Sequence, residues 1–133
     1  MVFTSRMFLL NFYKSLGLDA HYAKDTKDLT LSKSEFCQVG FEAYDIIVNG
    51  LKIGGNAQKR AKNMIFQHGS IPLYSVHTNK EAGNSLEELG IKLSYKQAIE
   101  ALKKSFTETF GATLNNSFLN ETENKYLEQL LED

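Results

Sequence analysis

Apolar residues recur at helical spacing near the start of the chain: Met7, Leu10, Tyr13 and Leu16, followed at once by Gly17. Residues three or four apart share a helix face, and a glycine past the last turn takes the left-handed conformation that ends it. The spacing therefore predicts a helix over 5–16. Residues 19–23 read as a short strand and the polar stretch 24–34 as a loop. Residues 44–48 are rich in β-branched side chains and lead into Asn49-Gly50, a pair suited to the two positive-φ positions of a tight hairpin turn. A second strand is expected from near Lys52 towards Arg60, a turn at 61–63 and a third strand over 64–74, making an antiparallel meander with glycines in it. Ser94 and Gln97 have capping-box spacing. Tyr95, Ala98, Ile99, Leu102, Phe106 and Phe110 then form one apolar stripe that Gly111 closes. A last short helix is expected to hold Leu127, Leu130 and Leu131 against the body. Helix, meander, then helices implies an α+β fold, a mixed or antiparallel β-sheet with packed helices.

The bulk numbers narrow the class. A chain of 133 residues fits one small domain and can bury roughly two-thirds of its unfolded surface. With 42% hydrophobic and 23% charged residues it has a globular balance. A net charge of −1 gives no general pull on nucleic acid or membrane, so neither is expected as a partner. Cys37 is the only cysteine, which rules out an internal disulfide and zinc-type cysteine spacing and points to a reducing, cytoplasmic setting. The apolar run at 7–10 is too short to cross a bilayer. His21 and His77 have no partners at metal-ligand spacing, so no metal site is expected.

The stretch most suggestive of chemistry is 36–73, FCQVGFEAYDIIVNGLKIGGNAQKRAKNMIFQHGSIPL. Its pieces are Val48-Asn49-Gly50 leading into Lys52-Ile53, then Gly55-Asn56-Ala57-Gln58, then Gln67-His68-Gly69-Ser70-Ile71. Taken singly each has an ordinary explanation. Lys52 could be a solvated strand lysine, Gly54 and Gly55 a bulge or tight bend, and Cys37 a small buried hydrophobe. Lys59, Arg60 and Lys62 could be a solvated strand end or a surface that meets an acidic protein.

In combination these pieces resemble the central part of the catalytic domain in the biotin/lipoate protein ligase superfamily, which includes lipoate-protein ligases and the cysteine-dependent octanoyltransferases. The resemblance extends more weakly over nearly the whole chain. It implies transfer of an octanoyl or lipoyl group to a lysine of lipoyl carrier domains, such as the glycine cleavage H protein and E2 subunits. It places Lys52 at the acyl carbonyl, where a fixed ammonium stabilises developing negative charge. It places Gly54, Gly55, Asn56 and Ala57 against the acyl chain, and His68, Gly69 and Ser70 in the pocket wall, with the His68 ring hydrogen-bonded. Cys37 precedes Tyr44 and Asp45 with the spacing of the octanoyltransferase cysteine, which takes the acyl group as a thioester. A neighbouring Lys52 would favour its thiolate. In the ligase branch Asp45 would meet magnesium or the adenylate, and Lys59 would lie near the nucleotide. The octanoyl or lipoyl group is then a substrate and no cofactor is held tightly, although a ligase would also need ATP and magnesium. A third possibility is a non-catalytic fragment that only binds a carrier or partner subunit.

The superfamily also has an N-terminal half with an Arg-Arg and a glycine-rich segment, and nothing in this chain resembles it. Residues 119–133 resemble the closing helix of the octanoyltransferases. Residues 1–133 are thus expected to be the C-terminal portion of the catalytic domain, either one subunit of a split enzyme or a truncated product. The sheet should then expose an apolar face or an open edge.

Overall fold

The computed structural model describes residues 7–26, 43–74 and 85–132. Helix α1 (Met7–Ser15) leads through Gly17, at φ +87°, into strand β1 (Ala20–Tyr22) and a single 3₁₀ turn (Ala23–Asp25). Strands β2 (Ile46–Val48) and β3 (Leu51–Lys52) follow, then β4 (Gly55–Ala61), β5 (Met64–Ser70), helix α2 (Tyr95–Phe110) and helix α3 (Glu121–Glu132). The order is α+β, as the sequence implies.

The strands form two sheets rather than one meander. β1, β2 and β3 pair antiparallel in that order, with Val48 opposite Leu51 across the Asn49-Gly50 turn. Asn49 has φ 53° and Gly50 φ 78°, the turn geometry expected of that pair. The ladder extends to Ile53, whose N–H donates to the Ile46 carbonyl at 3.0 Å. The chain then breaks at Gly54. Its φ of +63° is left-handed, and a Cβ there would collide with the Ser70 carbonyl oxygen and lie 3.2 Å from Pro72 Cδ. The strand expected to run from Lys52 to Arg60 is therefore two. β4 pairs only with β5, from Gly55–Ser70 at the base to Ala61–Met64 at the tip. β5 stops at Ser70, because 71–74 leave the ladder and run past residues 85–91. There the Pro72 and Leu73 carbonyls accept from the Leu86 and Glu87 amides.

The core gathers Leu10, Phe12, Tyr13, Ala20, Tyr22, Ile46, Val48, Ile53 and Leu86. Phe12, which the helical stripe omits, is fully buried. The reason is that α1 is covered on more than one side. Leu10, Phe12 and Tyr13 are buried in the core, while Phe8 stacks on Phe106 and Phe110 of α2 at centroid distances of 5.3 and 6.0 Å. Two hydrogen bonds fasten the helix pair: Asn11 Nδ2 to Thr109 Oγ1 at 3.0 Å, and Ser105 Oγ to the Phe8 carbonyl at 2.5 Å. α2 has both expected ends. The Ser94–Gln97 capping box is formed, and Gly111 caps the helix at φ 61°.

α3 departs from expectation. Asn120 and Glu123 cap it reciprocally, at 2.8 and 3.0 Å. Yet it has no buried residue, and Leu130 and Leu131 are 72% and 77% exposed. Local signals specify the helix, but no apolar surface among the described residues receives its leucines. No helix among the described residues is long and apolar enough to cross a membrane.

The contrast sets a measurable expectation. Phe12→Ala should cost about 3–5 kcal/mol of stability through lost burial and a residual cavity. Leu131→Ala should change it by no more than about 0.5 kcal/mol. Urea denaturation midpoints of the two variants check the difference.

Candidate functional site

The two-residue turn at 49–50 sets the register of β2 and β3, and so decides what Lys52 meets. Lys52 lies opposite Ile47. Side chains alternate along a strand, so Asp45, two residues before Ile47, shares a face with Lys52. Lys52 Nζ is 3.3 Å from Asp45 Oδ2, with the lysine side chain 25% and the aspartate 6% exposed. The backbone also holds Asp45 in place, its carbonyl accepting from the Ala23 N–H at 2.8 Å. Ile53, the next residue along, points into the core. Lys52 therefore lies on the opposite side of the sheet from Ile53, a side it shares with buried Ile47 and Asp45, anchored rather than loose in solvent.

The hairpin beyond Gly54 has two unlike faces. On the core-facing side, Arg60 Nε donates to Gln58 Oε1 at 3.1 Å, and Gln58 Nε2 donates to Gln67 Oε1 at 3.2 Å. A cleft of about 150 Å³ lies against this side, lined by Gly55, Asn56 and 67–71, by Ile46 and Ile53, and by Phe8, Leu9, Tyr13 and Leu102 from the helices. Burial pushes the Tyr13 hydroxyl above its ordinary range, so it remains a neutral group there. On the opposite side the register pairs Gly55 with Ser70, Ala57 with His68 and Lys59 with Phe66. Ala57, Lys59, Phe66 and His68 are exposed, and the Phe66 and His68 rings lie 6.0 Å apart.

The structure thus sorts the residues singled out from the sequence into groups. Lys52 and Asp45 form an ion pair. Gly55, Asn56, His68, Gly69 and Ser70 border the cleft. Ala57 and Lys59 stand on the outward face, where His68 presents its ring to solvent instead of a buried hydrogen bond. Cys37 and His77 lie outside the described residues. Backbone packing accounts for two of the glycines. Gly54 makes the turn, and a Cβ on Gly69 would lie 2.5 Å from the Gly55 carbonyl oxygen. A Cβ on Gly55 would meet nothing within 4 Å. Among the described residues no three His, Cys, Asp or Glu side chains converge as a metal site. His21 instead pairs with Asp19 at 2.7 Å.

Sequence reasoning passed over the contributions of Phe8, Leu9 and Leu102, which reach the cleft only through helix packing. It also passed over Phe66, whose alternation with Gln67 marks it as outward-facing.

Two stability measurements separate these roles. Gly54→Ala should lose about 1–3 kcal/mol, since the left-handed φ and the Ser70 carbonyl both oppose a side chain. Gly55→Ala should lose less than about 0.5 kcal/mol. Lys52→Ala removes the cation paired with a nearly buried carboxylate and should cost about 1–3 kcal/mol, the range for losing a hydrogen bond to a charged group. Adding Asp45→Asn should recover most of it. Losses from Lys52→Ala and Asp45→Asn that simply add in the double variant would mean that the pair is not coupled.

Comparison with known proteins identifies the family. Residues 6–82 match the lipoyl protein ligase A/B catalytic domain. The octanoyltransferase LipM of Bacillus cereus is 46% identical over 70 residues, 49% of this chain and 25% of that protein. The LipM of Kyrpidia tusciae is 32% identical over 143 residues, covering 89% of this chain and 52% of the relative. That of Geobacillus kaustophilus is 30% identical over 148 residues, with 92% and 53% coverage. The chain spans about half the length of these longer-matching relatives at most, and no solved structure matches it. With the matched segment running from α1 through both sheets, the chain belongs to the lipoyl protein ligase A/B catalytic domain family.

Proposed function

We propose that this chain is part of an acyltransferase that delivers an octanoyl or lipoyl group to a lysine of lipoyl carrier domains. The observation that carries the reading is the Lys52 ammonium, held by buried Asp45 on the side of its sheet opposite Ile53. An ammonium fixed in a partly dry setting favours the negative charge that develops on a carbonyl oxygen under attack. The relatives' names supply the acyl group. Asp45, paired with Lys52, acts as a positioning residue, and the pair gives no support to the magnesium role considered for it. No observation favours the ATP-dependent route.

In the proposed cycle the Cys37 thiolate attacks the carbonyl of an octanoyl thioester. The oxyanion forms beside Lys52 Nζ and collapses, expelling the donor thiol, which takes up a proton. The octanoyl group then sits on Cys37 as a thioester. The carrier lysine attacks in its neutral amine form, an amide bond forms, and the Cys37 sulfur leaves as thiolate while the amine's surplus proton passes to solvent. Ala57, Phe66 and His68 offer the acyl chain an outward-facing floor. The opposite wall is supplied by another polypeptide segment, which fits a chain spanning about half its relatives.

The assembled enzyme should show an octanoyl adduct on Cys37 by mass spectrometry during turnover, removable by hydroxylamine and missing in Cys37→Ser. Lys52→Ala/Asp45→Asn should slow transfer by about 10²–10³, as loss of an oxyanion-stabilising group does elsewhere. An acyl-adenylate that persists in Cys37→Ser and fails in Lys52→Ala would show ligation instead. Carrier binding indifferent to both substitutions would leave only a non-catalytic role. The isolated chain should be weakly stable and transfer poorly from octanoylated to apo carrier. Efficient transfer by it alone would refute the need for a second wall.

A further inference from the structure

Among the described residues, two exposed apolar surfaces carry opposite charge. The first is the outward face of the β4–β5 hairpin, where Met64 and Phe66 are 64% and 60% exposed. Lys59 stands opposite Phe66, and Lys62 lies in the turn at the tip. The second is the stripe of α3 made by Tyr126, Leu127, Leu130 and Leu131, all exposed. This helix carries Glu121, Glu123, Glu128 and Glu132 against a single cation, Lys125. Contiguous apolar surface of this kind is costly to leave in water and marks an interface.

The two surfaces match in length as well as sign. A helix of 12 residues is about 18 Å long at 1.5 Å per residue, and strands of 7 residues run about 23 Å. α3 is not seated on the hairpin of its own chain, for none of its residues is buried and the segment 112–120 leading to it lacks regular structure. A pair of α3 helices would set acidic surfaces against each other. We infer that α3 docks on the outward β4–β5 face of a second copy of this chain, and reciprocally, giving a two-fold dimer. In such an isologous pair each copy supplies one helix and one hairpin, so the exchange closes on itself. The partner's α3 would roof the face that bears Ala57, Phe66 and His68. The inference does not depend on the acyl chemistry, because the surfaces complement each other whatever reaction they enclose.

Sedimentation of the full chain from about 1 to 200 μM at low salt tests it. A monomer–dimer equilibrium is expected, weakened by added sodium chloride because exposed charge pairs are screened. Leu130→Glu, a surface change that leaves the core untouched, should raise the dimer dissociation constant at least about tenfold, as loss of a central apolar anchor does. Lys59→Glu/Lys62→Glu should also weaken association, as should Glu128→Lys/Glu132→Lys. Mixing these two charge-reversed chains should restore it, since both interfaces then pair opposite charges. A photo-crosslinker in place of Leu130 should capture residues 57–68 of an isotopically distinct copy. A monomer at every concentration overturns the proposal. So does a dimer indifferent to these substitutions, or a crosslink confined to the same chain.

Discussion

One backbone angle governs the arrangement. At Gly54 the chain takes a left-handed φ while pressed against the Ser70 carbonyl, a position open only to a residue without a side chain. Without that turn β3 and β4 would be a single strand and the hairpin would extend the first sheet. With it, Ile53 stays in the core, the hairpin forms a sheet of its own, and a cleft opens between hairpin and helices. The hairpin's other face is left to the outside.

The Asp45–Lys52 pair is set by the Asn49-Gly50 turn just before it and has two consequences at once. It holds an ammonium in a fixed place on its sheet, and it gives a nearly buried carboxylate a cationic partner. The structural role of Lys52 and its proposed chemical role are therefore entangled. A loss of activity in a lysine variant acquires meaning only against a background in which Asp45 has also been neutralised.

Much of the fold was legible because its signals are local. Ser94 with Gln97, Gly111, Gly17 and Asn49-Gly50 each specify a cap or turn through contacts within a few residues, and each sits where its chemistry requires. What escaped depends on distant partners. Gly54 looked like strand glycine because the carbonyl that excludes a side chain belongs to Ser70. Phe12 fell outside a single-stripe reading because α1 is covered on more than one side. The α3 leucines read as core because amphipathic spacing does not say whether a partner exists. At the site, Lys52 and Asp45 were both singled out but assigned to different chemistries. Their pairing follows from the hairpin register, which the two-residue turn already determines. The helix residues lining the cleft come from both α1 and α2, far apart in the chain, and leave no mark in the motif.

The same distance shapes how the chain comes to be folded. Ser105 reaches back to the Phe8 carbonyl, and Thr109 to Asn11, across separations of 97 and 98 residues. During synthesis the opening helix must wait for its clasp until α2 has left the ribosome, on the order of 5–20 s at about 5–20 residues per second. Through that interval Phe8 has no aromatic partners, and the nascent chain is open to capture by chaperones.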